Sequence, residues 1–214
     1  MPPIVIGLVG GIASGKSSVA RMLMEERTML HLDADEIARE VSNRPRIKRA
    51  IQERFPQAVE RKGKINRELL AQRVFGDPGA LADLEAIVHP PIRRAIVDAL
   101  QRADEPWVLL DAPLLQESGA DQLCDAVVYV ACPVRRRRAR ARRDRGWTDE
   151  EHAAREALQW SCRRKRSRAD YALDNGGDPE DTRRQLRKLL ADIERAARKP
   201  RKTSDRASRT PRGT

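Results

Sequence analysis

The sequence predicts an α/β domain, a parallel sheet covered by helices on both faces, and three observations carry that expectation. Strand-like and helix-like stretches alternate along the chain, the pattern of parallel strands joined by crossover helices. The first apolar run, IVIGLV at residues 4–9, is β-branched and shows no polar alternation, as expected of a strand buried on both faces. A glycine-rich turn follows it at once and leads into a helical stretch, SSVARMLMEE. At 214 residues the chain is long enough to bury one sizeable core.

The remaining elements follow in order. MLHLD (29–33) reads as a second strand ending on an acidic residue, and ADEIAREV returns to helical spacing. From residue 47 to 100 the apolar positions recur at helical intervals, in pieces broken at Pro56, Gly63, GDPG (76–79) and HPP (89–91). That block reads as helices inserted between strands. WVLLDAPLL (107–115) is a third strand running into a turn at Pro113, and AVVYVAC (126–132) is a fourth. An arginine run at 135–143 opens a long helical pattern of low apolar content; DYALDN (170–175) is a last short strand. The closing helix starts at Pro179, with acidic residues after it that suit a helix N-terminus. Residues 199–214 offer almost nothing to bury and are expected to form a disordered basic tail.

Composition narrows the partners. The balance of 43 basic against 32 acidic residues, net +11, favours anionic ligands: nucleotides, nucleic acid or an acidic membrane surface. Aromatic residues, at 3%, are too few for an extended base-stacking surface. Three cysteines with no C-x-x-C pair exclude a disulfide framework or zinc site and fit a reducing compartment. The first apolar run is too short, and too soon broken by glycines, for a signal peptide or membrane span, so a cytoplasmic protein without membrane insertion is expected.

The chemistry begins in GLVGGIASGKSSVA, where Gly10, Gly15, Lys16 and Ser17 fit G-x-x-x-x-G-K-[ST]. Such a loop turns backbone N–H groups toward the β- and γ-phosphates at the N-terminus of a helix. Gly15 permits a backbone conformation closed to other residues, Lys16 reaches the phosphate oxygens, and Ser17 is placed to ligate Mg²⁺. Ala13, where a further glycine would be easiest, needs a backbone angle that alanine tolerates. Asp33 and Asp35 lie at the end of the second strand, where ligands of doubly wound sheets gather. A carboxylate there can take the proton of an attacking hydroxyl or hold a magnesium-bound water. Asp35 has a second reading, as the cap of the next helix, whereas Asp33 lies one step early for that and is assigned to catalysis.

Taken together, GLVGGIASGKSSVA, LDADEIARE, IVHPPIRR (87–94), DAPLLQE (111–117) and RADYALDNGG (168–177) resemble the dephospho-coenzyme A kinase family, over roughly residues 3–195. That family transfers the γ-phosphoryl of ATP to the ribose 3′-hydroxyl of dephospho-CoA. The resemblance implies a three-layer P-loop NTPase fold over residues 1–198, with CoA-binding helices at about 45–105 and a helical lid at about 134–167. It assigns Gly10, Gly11, Ile12, Ala13, Ser14, Gly15, Lys16, Ser17, Ser18 and Asn175 to ATP, with Mg²⁺ at Ser17; Asp111, at a position not uniformly acidic in the family, is a second metal candidate by its own place at the end of the third strand, where it could hold a Mg²⁺-bound water. On the acceptor side it assigns Asp33 as general base, with His89, Arg93, Pro113, Leu114 and Leu115 around the dephospho-CoA. Arg140 or Arg143 is the lid cation implied for the phosphates, in a segment with more arginines than the family's usual spacing; Lys165 is a further phosphate contact. ATP and dephospho-CoA are the implied partners of a monomer or weak homo-oligomer. The alternatives are another small-metabolite or nucleoside P-loop kinase, and a nucleic-acid-binding ATPase suggested by the net charge.

Overall fold

The computed structural model describes residues 2–60 and 63–197; the tail expected at 199–214 lies outside the described residues. Its strands are β1 (Ile4–Val9), β2 (Met29–Asp33), β3 (Trp107–Asp111), β4 (Ala126–Ala131) and β5 (Tyr171–Asp174). Its helices are α1 (Lys16–Glu26), α2 (Ala34–Asn43), α3 (Pro45–Arg54), α4 (Arg67–Val74), α5 (Pro78–Gln101), α6 (Val134–Arg145), α7 (Asp149–Ala157), α8 (Cys162–Ser167) and α9 (Pro179–Ala197). Two compact units result: one from the residues up to His31 together with those from Ala103 onward, the other from Leu32–Arg102.

The first unit is built on a five-stranded sheet ordered β2-β3-β1-β4-β5. β1 pairs in parallel with β3, Ile4 opposite Trp107, and with β4, Leu8 opposite Val128; β4 pairs in parallel with β5, Val128 opposite Tyr171. A strand with a parallel neighbour on each side buries both faces, which explains why β1 lacks polar alternation. On one face Ile6, Leu8, Leu109, Val128 and Leu173 pack against Val19 and Leu23 of α1 and Leu186, Leu190 and Ile193 of α9. Each such side chain contributes roughly 1.5–3 kcal/mol by leaving water. Gly7 leaves no room for a side chain, since a methyl group there would lie 2.4 Å from Leu115 Cδ2 and 2.7 Å from Cys124 Sγ. Leu115 is therefore a core residue with 0% exposure, a correction to its expected place in an acceptor pocket.

The second unit is helical. Ile51, Phe55, Ala58 and Ala80 form its buried centre, with Ile47, Leu70, Leu84 and Val88 packed partly buried around them. Asp77 caps α5 by accepting from Ala80 N at 3.0 Å, and Asn66 caps α4 by accepting from Glu68 N and Leu69 N at 3.0 and 3.1 Å. α5 runs unbroken through Pro90 and Pro91, where the sequence reading placed a break. Proline disfavours a helix interior because it lacks the N–H donor. Here Pro91 is buried, along with Ala80 and Ile96 of the same helix. Packing overrides the local preference.

Candidate active site

The phosphate loop is shaped by two left-handed residues and two close approaches. Gly15 has φ 91°, and Ala13, at φ 58°, is the one non-glycine residue with positive φ among the described residues. A side chain on Gly15 would also lie 2.1 Å from Asn175 Nδ2, so glycine is required there on two counts. Behind the loop, a methyl on Gly10 would meet Val130 O at 2.8 Å, and one on Gly11 would meet Arg137 Nη1 at 2.5 Å and Cys162 Sγ at 2.8 Å. The cavity wall itself begins at Ile12. α1 starts at Lys16 with no side-chain cap and no acidic residue in its first turn. Its first N–H groups, left without intrahelical partners, make a ready anion site.

Other elements brace the loop through its carbonyls. Asn175, 7% exposed at the end of β5, donates from Nδ2 to Ser14 O at 2.8 Å. Arg140 of α6 donates to the same oxygen at 3.1 Å and to Asn175 O at 3.0 Å. Arg137, nearly buried, donates from Nε to Cys132 O at 3.2 Å and pairs with Glu156 of α7. These contacts hold α6 against the loop whose carbonyls they satisfy.

Lys16 folds back on its own loop, Nζ donating to Gly10 O at 3.2 Å and Gly11 O at 3.4 Å. Burial, then the charge of Lys165 and that of Arg145, lowers its pKa to about 8, while Asp111 pulls the other way. Lys16 opens onto a cavity of about 990 Å³ whose wall includes Ser17, Ser18, Asp111, Arg140, Arg143 and Asn175. Arg145 and Arg155 join it, against the carboxylates of Asp111 and Asp144. A cavity with five cationic and two carboxylate side chains over a helix N-terminus is built for a polyanion.

That geometry meets a specific set of relatives. The dephospho-CoA kinase family model matches residues 4–181. The chain belongs to the dephospho-CoA kinase family. It is 43% identical over 196 residues to the dephospho-CoA kinase of Deinococcus radiodurans, covering 90% of this chain and 93% of that one. A crystal structure from Thermus thermophilus superposes with a TM-score of 0.79 at 38% identity, covering 90% of this chain and 98% of that one. The dephospho-CoA kinase from Campylobacter jejuni, at 24% identity and a TM-score of 0.64, shares the fold.

Against the family's expected site, several residues fall differently. Asp33, assigned to catalysis because it stood too early to cap, is the N-cap of α2: its Oδ1 accepts from Asp35 N at 2.8 Å and Glu36 N at 3.1 Å. The strand runs directly into the helix, so the cap falls on the last strand residue and not on Asp35. His89 and Arg93 stand exposed four residues apart on α5, hence on one face of that helix. The helical unit's own cavity, about 940 Å³, is lined instead by Val88 and Ile92 of that helix, with Ile51, Leu84, Lys48 and Lys64. Arg143 is highly exposed and pairs with its neighbour Asp144, Nε to Oδ1 at 2.6 Å. Lys165, 1% exposed, is closed off from a phosphate: Nζ meets Glu117 Oε1 at 3.0 Å and donates to Gln159 Oε1 at 2.8 Å. Pro113 and Leu114 line the 990 Å³ cavity, and Asp111 does so with His31 Nε2 3.5 Å from its Oδ2.

Sequence reading missed Glu117, Arg137, Trp147 and Arg155. Seven arginines between 135 and 143 look alike as letters, and only the facing of α6 separates the loop-bracing Arg137 and Arg140 from the rest. Among the described residues no helix is long and apolar enough to cross a membrane, and no cluster of three or more His, Cys, Asp or Glu forms a metal cage. Ser17 and Asp111 are hard oxygen donors lining one cavity, which suits a Mg²⁺ ion that takes most of its ligands from phosphates and water.

Proposed function

We propose that this chain transfers the γ-phosphoryl of ATP to the ribose 3′-hydroxyl of dephospho-CoA, giving coenzyme A and ADP. The observation that carries this reading is the phosphate loop: an uncapped helix N-terminus, a half-buried lysine and a cation-lined cavity in a chain of the dephospho-CoA kinase family. Backbone N–H groups at Lys16–Ser18 receive the β- and γ-phosphates, and Lys16 leaves its carbonyl partners to follow the transferring group. Arg140 acts mainly by fixing the loop, while Arg143 exchanges Asp144 for phosphate. Ser17 and Asp111 would hold Mg²⁺, which neutralises charge shared by the β- and γ-oxygens when bound. Asp33 takes the proton of the acceptor hydroxyl. Its cap hydrogen bonds occupy Oδ1 and fix the carboxylate rotamer.

His89 and Arg93, as exposed polar groups on α5, are assigned to dephospho-CoA with the helical unit, and the α6–α8 segment to a lid over ATP. Closure over the site matters because water admitted there would accept the phosphoryl group. We infer a cytoplasmic monomer or weak homo-oligomer. An ADP-release assay with ATP and dephospho-CoA, beside AMP, adenosine, pantothenate and single-stranded RNA, tests the proposal. Turnover is expected with dephospho-CoA alone; stimulation by RNA with no response to dephospho-CoA would overturn it.

A further inference from the structure

Between α6 and α7 the chain is fixed by two opposed caps. α6 ends on Gly146, at φ 68°, whose N–H reaches Arg142 O at 3.0 Å, while the Trp147 N–H reaches Ala141 O at 3.4 Å. The Gly146 bond is the single 5→1 bond of a left-handed C-terminal cap, and the longer Trp147 bond reaches one carbonyl further back. A methyl on Gly146 would meet nothing within 4 Å, so the backbone angle, not space, requires glycine. One residue later Thr148 opens α7 with a capping box: Glu151 N donates to Thr148 Oγ1 at 3.2 Å, and Thr148 N donates to Glu151 Oε2 at 2.9 Å. Trp147 is the single residue between these caps, so its backbone has little freedom.

Its ring collects two cations. Arg145 Cζ lies 4.7 Å and Arg155 Cζ 4.3 Å from the ring, and all three residues line the cavity that also holds Lys16 and Ser17. Three other arginines of α6 are neutralised by carboxylates, Arg137 by Glu156, Arg142 by Asp149 and Arg143 by Asp144, while Arg140 is spent on the carbonyls of Ser14 and Asn175. Neither Arg145 nor Arg155 forms an ion pair among the described residues. Arg145 is close enough to Lys16 to depress its proton affinity. Two cations on one indole repel each other unless an anion joins them. A guanidinium stacked on a ring keeps its N–H edge free for phosphate oxygens.

We propose that Trp147 is a positioning residue that presents Arg145 and Arg155 as an unneutralised pair to the polyphosphate of the nucleotide. The inference rests on reading this cavity as the donor site, and the adenine plays no part in it. Trp147→Leu keeps apolar bulk and removes the ring; Trp147→Phe keeps a ring. Equilibrium binding of tripolyphosphate and of adenosine is measured separately for the full chain and each variant, with KM and kcat for ATP beside them. Trp147→Leu is expected to weaken tripolyphosphate binding about tenfold and raise KM for ATP similarly, with adenosine affinity unchanged and kcat changed much less; Trp147→Phe restores most of the loss.

Wild-type tripolyphosphate binding in Trp147→Leu, or loss confined to adenosine, would overturn the proposal. So would a phenylalanine variant as weak as the leucine one. Should the leucine variant not fold, a double-mutant cycle of Trp147→Phe with Arg155→Gln decides: additive losses in tripolyphosphate affinity sink the coupling, and non-additive ones support it. Failure of the wild type to turn over dephospho-CoA would remove the proposed function, while the tripolyphosphate measurements would still decide the role of Trp147.

Discussion

The two units hold their candidate functional groups by different means. In the sheet unit the loop's carbonyls are pinned by side chains that are themselves buried or tied to another strand, as with Asn175 and Arg140 on Ser14 O. In the helical unit the candidate residues hang on local features: Asp33 on a helix cap, His89 and Arg93 on the open surface of α5. The cluster around Phe55 holds four buried residues, whereas the sheet unit's cluster draws on four strands and two long helices. Phosphoryl transfer needs donor atoms fixed within fractions of an ångström, and positions of that accuracy are found where packing is densest. A thin core opens locally at low free energy and suits a surface that must adapt to a long substrate.

The sharpest break in that comparison is Lys16→Ala. Turnover should fall by about 10³-fold or more, while the melting temperature stays or rises because a desolvated cation has been removed. Full activity in a steady-state assay would remove the phosphate loop from the mechanism. Phe55→Ala attacks the other unit, with an expected loss of about 3–5 kcal/mol. Hydrogen exchange should show the added opening confined to Leu32–Arg102 amides, with nucleotide binding kept; opening spread evenly through both units would deny that the helical unit is the weaker. Asp33→Asn separates cap from chemistry, because asparagine caps as well as aspartate. The melting temperature and ATP affinity should hold while kcat drops about 10²-fold.

A smaller effect is set by pH. Polyphosphate binds the protonated lysine, and Lys16 in the free protein loses its proton near pH 8. Above that, binding must take up a proton, so affinity falls by up to about tenfold per pH unit. Calorimetry in buffers of different ionisation enthalpy should report that uptake, and Lys16→Arg, protonated throughout, should flatten the curve. In the unfolded chain the lysine holds its proton to about 10.5, so between pH 8 and 10.5 the unfolded state binds more protons. Over that window this group makes the nucleotide-free protein gain stability as pH rises. Least of all, Asn66→Ala should cost about 1 kcal/mol by uncapping α4, read from a denaturant midpoint, with kcat unchanged.

How much of this was legible depended on whether local chemistry or packing decides each feature. β1 was read to its observed limits, Ile4–Val9, because burial on both faces writes itself into every residue. The phosphate loop was legible because glycine and lysine there answer to backbone angle and phosphate directly. Asp33 was misjudged by one position because strand and helix meet without a linker. Pro90 and Pro91 were read as a break because an interior proline is costly alone and tolerated in a packed helix. Leu115 gave no sign of being core, since Gly7, against which it packs, lies on β1, far away in sequence. Trp147 was invisible for a related reason: its neighbours Arg145 and Arg155 are brought to it by two caps, and ring contacts leave no spacing to read.

The bond from Asn175 to Ser14 joins residues 161 positions apart. During synthesis the phosphate loop leaves the ribosome well before its partners, and its shape waits for β3 and β4 on either side of β1 and for β5 behind it. A nascent chain stalled before residue 175 should therefore carry the whole loop sequence and bind nucleotide poorly. Competence for ATP would arrive only once β5 and Asn175 have emerged to brace a loop made long before them.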